Sequence, residues 1–139
     1  MCGIIGYTNN VSNNQSVIEN MLQKISHRGP DDQGYYQDSK ITLGMRRLSI
    51  IDLDSGNQPL FNEDKSLILV FNGEIYNYQV LRAKLISLGH TFTTNSDSEV
   101  IIHGYEEYGN DIVNHLRGMF AIAIYNIHTK ALFIARDIF

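Results

Sequence analysis

Two stretches of the chain, Leu67-Ile68-Leu69-Val70-Phe71 and Phe120-Ala121-Ile122-Ala123-Ile124-Tyr125, carry no polar face. Side chains alternate across a strand, so a continuous apolar run must be covered on both sides. A single sheet with one wet face is therefore excluded, and a layered architecture is required. The helices for the outer layers are visible. Val17, Ile18, Met21, Leu22 and Ile25 recur at helical spacing, and Pro30 stops that helix before Gly29-Pro30. A second helix is predicted from Tyr78 to Leu88, closed by Gly89. A third is capped by Asp97 or Ser98 and runs to Tyr108, and a short fourth covers Asn110 to Leu116. Gly3 to Thr8, Gly34 to Gln37, Ile41 to Met45, Thr91 to Thr93 and Ala131 to Arg136 read as further strands, the first of them buried. Asn72-Gly73 reads as the turn that ends the first apolar strand. This order is not a regular β-α-β alternation. Two packed sheets with helices outside them satisfy it: an α+β, four-layer α-β-β-α fold.

Composition narrows the function classes. The 139 residues suit one domain. The net charge is −4 with no basic stripe, which argues against nucleic acid and against a membrane surface as partners. No apolar run approaches the roughly 20 residues of a membrane span, and the N-terminus lacks the basic region of a signal peptide. One cysteine excludes an intrachain disulfide and a cysteine-based zinc cage. A cytoplasmic location is expected. The chain ends at Phe139 just past a strand, without a polar tail, so a fragment incomplete at its C-terminal edge is expected.

A lone free cysteine is usually a small buried hydrophobe. Cys2 differs because it directly follows the initiator methionine. A small second residue lets an aminopeptidase remove Met1, which leaves thiol and α-amine on one residue. Ordinary values of about 8.5 and 7.7–8.0 put both groups within reach of neutral pH. The amine can then serve as base for its own side chain. No histidine is required as partner, and His27, His90, His103, His115 and His128 read as surface or satisfied core residues. Other polar blocks stand at the ends of predicted elements: Arg28-Gly29-Pro30-Asp31, Arg47-Leu48-Ser49-Ile50-Ile51-Asp52, Asn72-Gly73-Glu74-Ile75-Tyr76-Asn77, Ser96-Asp97-Ser98-Glu99 and Arg136-Asp137.

In this order and spacing the blocks resemble the N-terminal glutaminase domain of glutamine-dependent asparagine synthetases. These are class II glutamine amidotransferases with the N-terminal nucleophile hydrolase fold. The resemblance covers residues 1–139 and implies a domain that hydrolyses L-glutamine to L-glutamate and ammonia through a Cys2 thioester. It implies an oxyanion held by the Asn72 side-chain amide and the Gly73 backbone N–H. It implies Arg47 on the substrate α-carboxylate, Asp97 on its α-ammonium, Glu74 near the same end, and Leu48, Ser49, Ile50 and Ile51 along the pocket wall. Arg28 takes a supporting role, orienting the N-terminal residue. No metal or organic cofactor is implied for the glutaminase step.

In the family, the glutaminase domain continues past Arg136-Asp137 with more strands and an ATP-dependent synthetase domain, where ATP and Mg belong. The ammonia would then serve asparagine synthesis from aspartate. The implied partners are L-glutamine, a synthetase domain or separate subunit, and a homodimer of the intact protein. Two other readings stay open at this level. One is a catalytically silent fragment that binds glutamine or docks a synthetase subunit. The other is an amidotransferase that modifies a sugar or a peptide-like precursor.

Overall fold

The computed structural model describes residues 2–8, 14–48 and 57–138. In chain order the elements are β1 (Gly3–Thr8), α1 (Asn14–Lys24), β2 (Asp32–Gln37), β3 (Ile41–Arg47), β4 (Leu60–Phe61), β5 (Leu67–Ile75), α2 (Tyr78–Ser87), α3 (Glu99–Tyr108), α4 (Ile112–His115), β6 (Gly118–Asn126) and β7 (Leu132–Arg136). They build two antiparallel sheets, ordered β1-β3-β2 and β4-β5-β6-β7.

The all-apolar runs explain the layering. Alternate residues of β5 serve two different cores. Ile68 and Val70 face the first sheet and pack with Ile41, Leu43 and Met45 of β3 and with Ala123 and Tyr125 of β6. Leu67, Leu69, Phe71 and Ile75 face outward and pack with Leu81 and Leu85 of α2 and Val100, Ile101 and Ile102 of α3. On the far side, α1 buries Ile18 and Leu22, and Ile18 lies over Gly44 of β3. The layers are thus α1, sheet, sheet, then α2 with α3, as the sequence predicts. Each fully buried Leu or Ile stabilises this arrangement by roughly 1.5–3 kcal/mol.

At one end of the sandwich Asp38 ties the sheets together. Its Oδ2 accepts hydrogen bonds from Tyr125 Oη at 2.9 Å and from Lys130 Nζ at 3.1 Å. Along the β1 and β7 edges an apolar cleft of about 380 Å³ opens, lined by residues such as Ile4, Leu43, Val70, Leu132 and Ile134.

Several local expectations are overturned. Asn72-Gly73 is no turn: β5 continues to Ile75, with Asn72 opposite Ala121 and Gly73 opposite Phe120. Cross-strand pairing with β6 outweighs the dipeptide's turn preference. Gly73 is needed for close approach instead. At φ +154°, a Cβ there would collide with the Met119 carbonyl and sit 2.7 Å from Phe120 Cα. Gly118 makes the reciprocal approach, against the Glu74 carbonyl. Thr91 to Thr93 is not a strand, because carboxylates rather than a neighbouring strand take its amides. β1 is only partly buried because it is an edge strand. β4 is too short to leave a periodic signal. α1 begins at Asn14. Among the described residues no helix is long and apolar enough to cross a membrane.

Candidate active site

The alternation that fills the inter-sheet core also delivers polar residues to its other end. On β3 the inward series Ile41, Leu43, Met45 continues to Arg47. On β5 the series Ile68, Val70 continues to Asn72. On β1, Ile4 pairs with Met45 and Gly3 with Arg46, so Cys2 falls one step further, level with Arg47.

Cys2 is half-buried and packs on the inter-sheet core. The Leu48 amide donates to its Sγ at 3.3 Å, and the Leu48 carbonyl lies 3.6 Å from the same sulfur. Arg28 Nε donates to the Cys2 carbonyl at 3.0 Å. The Arg28 side chain reaches it across Gly3, where a Cβ would press within 3.3 Å of Arg28 Cδ. Gly29 lies flat on the Arg46–Arg47 peptide, where a Cβ has no room, and the Asp31 amide bonds the Arg47 carbonyl at 3.1 Å. The Arg-Gly-Pro-Asp block is therefore a strap from the end of α1 to the end of β3.

Arg47 is 5% exposed, and its Nη1 donates to Asn57 Oδ1 at 2.8 Å. The next residue, Gln58, accepts the Phe71 amide at 2.6 Å, so this short segment links the first sheet to β5. Asn57 and Gln58 carry no sequence signal beyond a polar loop. Arg46, by contrast, turns to the other face and bonds Gln33 at 2.7 Å.

The free edge of β5 beyond β4 is organised around its amides. Phe71 N–H goes to Gln58, and Ile75 N–H goes to Asp97 Oδ2 at 2.8 Å. By strand alternation the Gly73 N–H shares this edge, between those two. Beside it, Asn72 Oδ1 is buried with no hydrogen-bond partner among the described residues. Such an orphan costs about 1–3 kcal/mol unless a ligand group meets the amide.

Asp97 is buried, 5% exposed. Burial pushes its carboxyl pKa up, the Ile75 amide pulls it back, and the charge of exposed Glu74 adds to the rise. Neither Asp97 nor Ser98 caps α3 with its side chain, contrary to the helix-cap expectation. The carboxylate is instead committed to β5. Sequence reasoning missed Glu99 as a positioning residue. Its two oxygens accept the amides of Thr93 and Thr94 at 2.8 and 2.7 Å and both threonine hydroxyls. Burial opposes its ionisation, yet these bonds and His103 hold its pKa at about 2. The segment leading into Asp97 is thereby fixed. Ser49, Ile50 and Ile51, expected along the pocket wall, lie outside the described residues.

Comparison with known proteins matches residues 1–139 to the family described as "Glutamine amidotransferase domain". The chain is 45% identical over 144 residues to asparagine synthetase (glutamine-hydrolyzing) 1 of Bacillus subtilis, with 100% of this chain and 23% of that protein aligned. It is 44% identical over 140 residues to asparagine synthetase (glutamine-hydrolyzing) 2 of Arabidopsis thaliana, with 99% of this chain and 24% of that protein aligned. The chain thus spans about a quarter of the length of these curated relatives. Among solved structures, the glutamine phosphoribosylpyrophosphate amidotransferase of B. subtilis superposes with TM-score 0.75 at 21% identity, covering 98% of this chain and 36% of that one. That likeness speaks for the fold alone.

Proposed function

Because the chain belongs to the glutamine amidotransferase domain family, we propose that it hydrolyses the side-chain amide of L-glutamine to L-glutamate and ammonia with Cys2 as nucleophile. One observation carries this reading: the Cys2 thiol and the Asn72 side-chain amide, whose Nδ2 hydrogens are donors, stand at the same end of the inter-sheet space, with the Gly73 N–H on the adjoining strand edge.

Once Met1 is removed, the α-amine of Cys2 takes the thiol proton and Sγ attacks the amide carbon. Asn72 and the Gly73 N–H meet the oxyanion; one such donor contributes about 2.7–4 kcal/mol in the transition state. The amine returns its proton to the leaving nitrogen, ammonia departs, and a thioester remains. Water then attacks the thioester, and Sγ leaves with the proton restored. Arg28, bonded to the Cys2 carbonyl, fixes the residue that is both base and nucleophile. Arg47 grips the substrate α-carboxylate as a planar fork, and Asp97 with Glu74 receives the α-ammonium. Leu48, bonded through its amide to Cys2 Sγ, borders the pocket. No metal or cofactor takes part in this step.

In the intact protein the ammonia passes to ATP- and Mg-dependent amidation of aspartate, on a synthetase domain or a separate subunit. That the relatives are glutamine-hydrolysing asparagine synthetases, 44–45% identical to this chain, supports that acceptor. A cytoplasmic setting keeps the thiol reduced.

The test is steady-state kinetics with L-glutamine, N-acetylglutamine and glutamine amide. Free glutamine is expected to be the one good substrate, because each blocked end removes the substrate charge that Arg47 or Asp97 would pair with, a cost of about 2–5 kcal/mol. Equal turnover of all three overturns the assignment of the clamp.

A further inference from the structure

Away from the Cys2 end, two imidazoles and two carboxylates converge from three parts of the fold. Glu63 lies in the β4–β5 turn, His90 follows α2, and His103 and Glu106 lie one turn apart on α3. His103 Nδ1 is 3.0 Å from Glu106 Oε2 and 3.4 Å from Glu63 Oε2. His90 Nδ1 is 3.6 Å from Glu106 Oε2 and 3.4 Å from Glu63 Oε1. Each ring presents the same nitrogen to the same two carboxylates.

We propose that Glu63, His90, His103 and Glu106 form a binding site for one divalent first-row transition cation, best suited to Zn²⁺. One hydrogen bond, between His103 Nδ1 and Glu106 Oε2, accounts for only part of the pattern. One N–H points in one direction, yet each nitrogen faces two carboxylates, and the four separations are nearly equal. A tetrahedral zinc ion with bonds of about 2.0–2.1 Å holds its ligand atoms about 3.3 Å apart. One ligand atom from each of the four residues lies within 4.8 Å of the others, so the side chains need only draw inward to reach that spacing.

The outer contacts have the form that orients metal ligands. His90 Nε2 meets Glu107 Oε1 at 2.9 Å, and His103 Nε2 lies 3.5 Å from Glu99 Oε1. At His90 this carboxylate on the distal nitrogen fixes the tautomer that frees Nδ1 for a metal, while His103 Nε2 has no hydrogen-bond partner among the described residues. Asn62 Nδ2 donates to Glu106 Oε1 at 2.8 Å, and the Thr91 amide donates to Glu63 Oε1 at 3.1 Å. Phe92 stands edge-on to the His103 ring at 4.7 Å and limits its rotation. Charge points the same way. Glu63, Glu99, Glu106 and Glu107 surround the two rings, so even two imidazolium ions leave negative charge in excess. His103 is 1% exposed while Glu63 is 39% exposed, which gives a fixed floor and an open side for entry.

The mixed nitrogen and oxygen donor set favours Zn²⁺ over Mg²⁺ or Ca²⁺, which take oxygen ligands. With four protein ligands the ion is structural. It joins the β4–β5 turn, the segment after α2 and α3, clamping the stretch that leads to Asp97.

The protein, stripped with EDTA and dialysed, is titrated with ZnCl₂ by calorimetry and then with CoCl₂ while visible absorption is recorded. Expected are one equivalent of Zn²⁺ with micromolar or tighter affinity, a raised Tm, and the intense visible bands of four-coordinate Co²⁺. His90→Gln and Glu63→Gln, both at the accessible side, are expected to weaken Zn²⁺ at least about 10–100-fold with unchanged far-UV circular dichroism. Cys2→Ala is expected to bind Zn²⁺ like the parent. The proposal is overturned if the folded parent shows no saturable one-to-one binding, if both His90→Gln and Glu63→Gln bind like the parent, or if Cys2→Ala abolishes binding. None of these readouts depends on glutamine turnover.

Discussion

The carboxylate of Asp97 accepts the Ile75 amide hydrogen at 2.8 Å, so a buried charge is fastened to the end of β5. Its pKa is raised in the folded chain, first by burial. A raised carboxyl favours the folded state below the unfolded pKa, and that contribution is lost as pH rises through the folded one. At neutral pH the ionised Asp97 therefore costs stability. Asp97→Asn keeps an acceptor for Ile75 and removes the charge. The variant is expected to melt higher than the parent at pH 7, with the gap closing in acid, while KM for glutamine rises steeply. A variant that melts lower at pH 7 and keeps the parental KM would sink this account.

Asn72 and Cys2 act at different stages of the proposed reaction. Cys2→Ala should abolish hydrolysis and leave glutamine affinity nearly intact by calorimetry. Asn72→Ala should lower kcat by about 10²–10³-fold with little change in binding, because its bond strengthens in the transition state. Comparable loss of affinity in both variants would refute the division of labour.

Gly73 has no space for a side chain, with the Met119 carbonyl and Phe120 Cα against it. Gly73→Ala is expected to destabilise the β5–β6 pairing by about 1–3 kcal/mol through backbone strain and displacement. Urea unfolding measures this, and a midpoint unchanged from the parent would contradict the close approach.

Met1 retention is expected to silence the site, because an acylated Cys2 nitrogen cannot act as base. Intact-mass spectrometry of the active protein should show the loss of one methionine residue. Full glutaminase rate in a chain that keeps Met1 would rule out the amine as base.

Asp38 sets the acid limit of the sandwich. Burial works against its ionisation, but the Lys40 and Ile41 amides, Lys130 and Tyr125 hold its pKa at about 2, against 3.8 ordinarily. A depressed carboxyl contributes stability above the unfolded pKa that fades as pH falls through the folded one. Roughly 2 kcal/mol should be lost between about pH 4 and about pH 2. Tyr125, pushed up to about 12 by burial and by Asp38, contributes stability below pH 10 that is lost as pH rises through 12. Asp38→Asn should flatten the acid limb of a Tm-versus-pH curve, and an unaltered limb would argue against this assignment.

The sequence by itself determined the four layers. Runs such as Leu67–Phe71 and Phe120–Tyr125 force cover on both faces whatever their partners are, and helical spacing in Val17–Ile25 supplies one outer layer. It also marked the blocks around Cys2, Arg28, Arg47, Asn72 and Asp97, because polar clusters at element ends are legible as local pattern. Asn72-Gly73 was misleading for the same reason: local preference says turn, and only the pairing with Ala121 and Phe120 makes it strand. Tertiary structure alone decided what each polar group meets. Asp97 serves β5 rather than its own helix, Asn57 holds Arg47 and Gln58 holds Phe71, Glu99 fixes Thr93 and Thr94, and Glu63 meets His90 and His103. Hydrogen bonds and ion pairs act over about 3 Å, and residues that close can be separated by any length of chain. Periodicity records which face of an element is buried, and it carries nothing about which distant side chain arrives there.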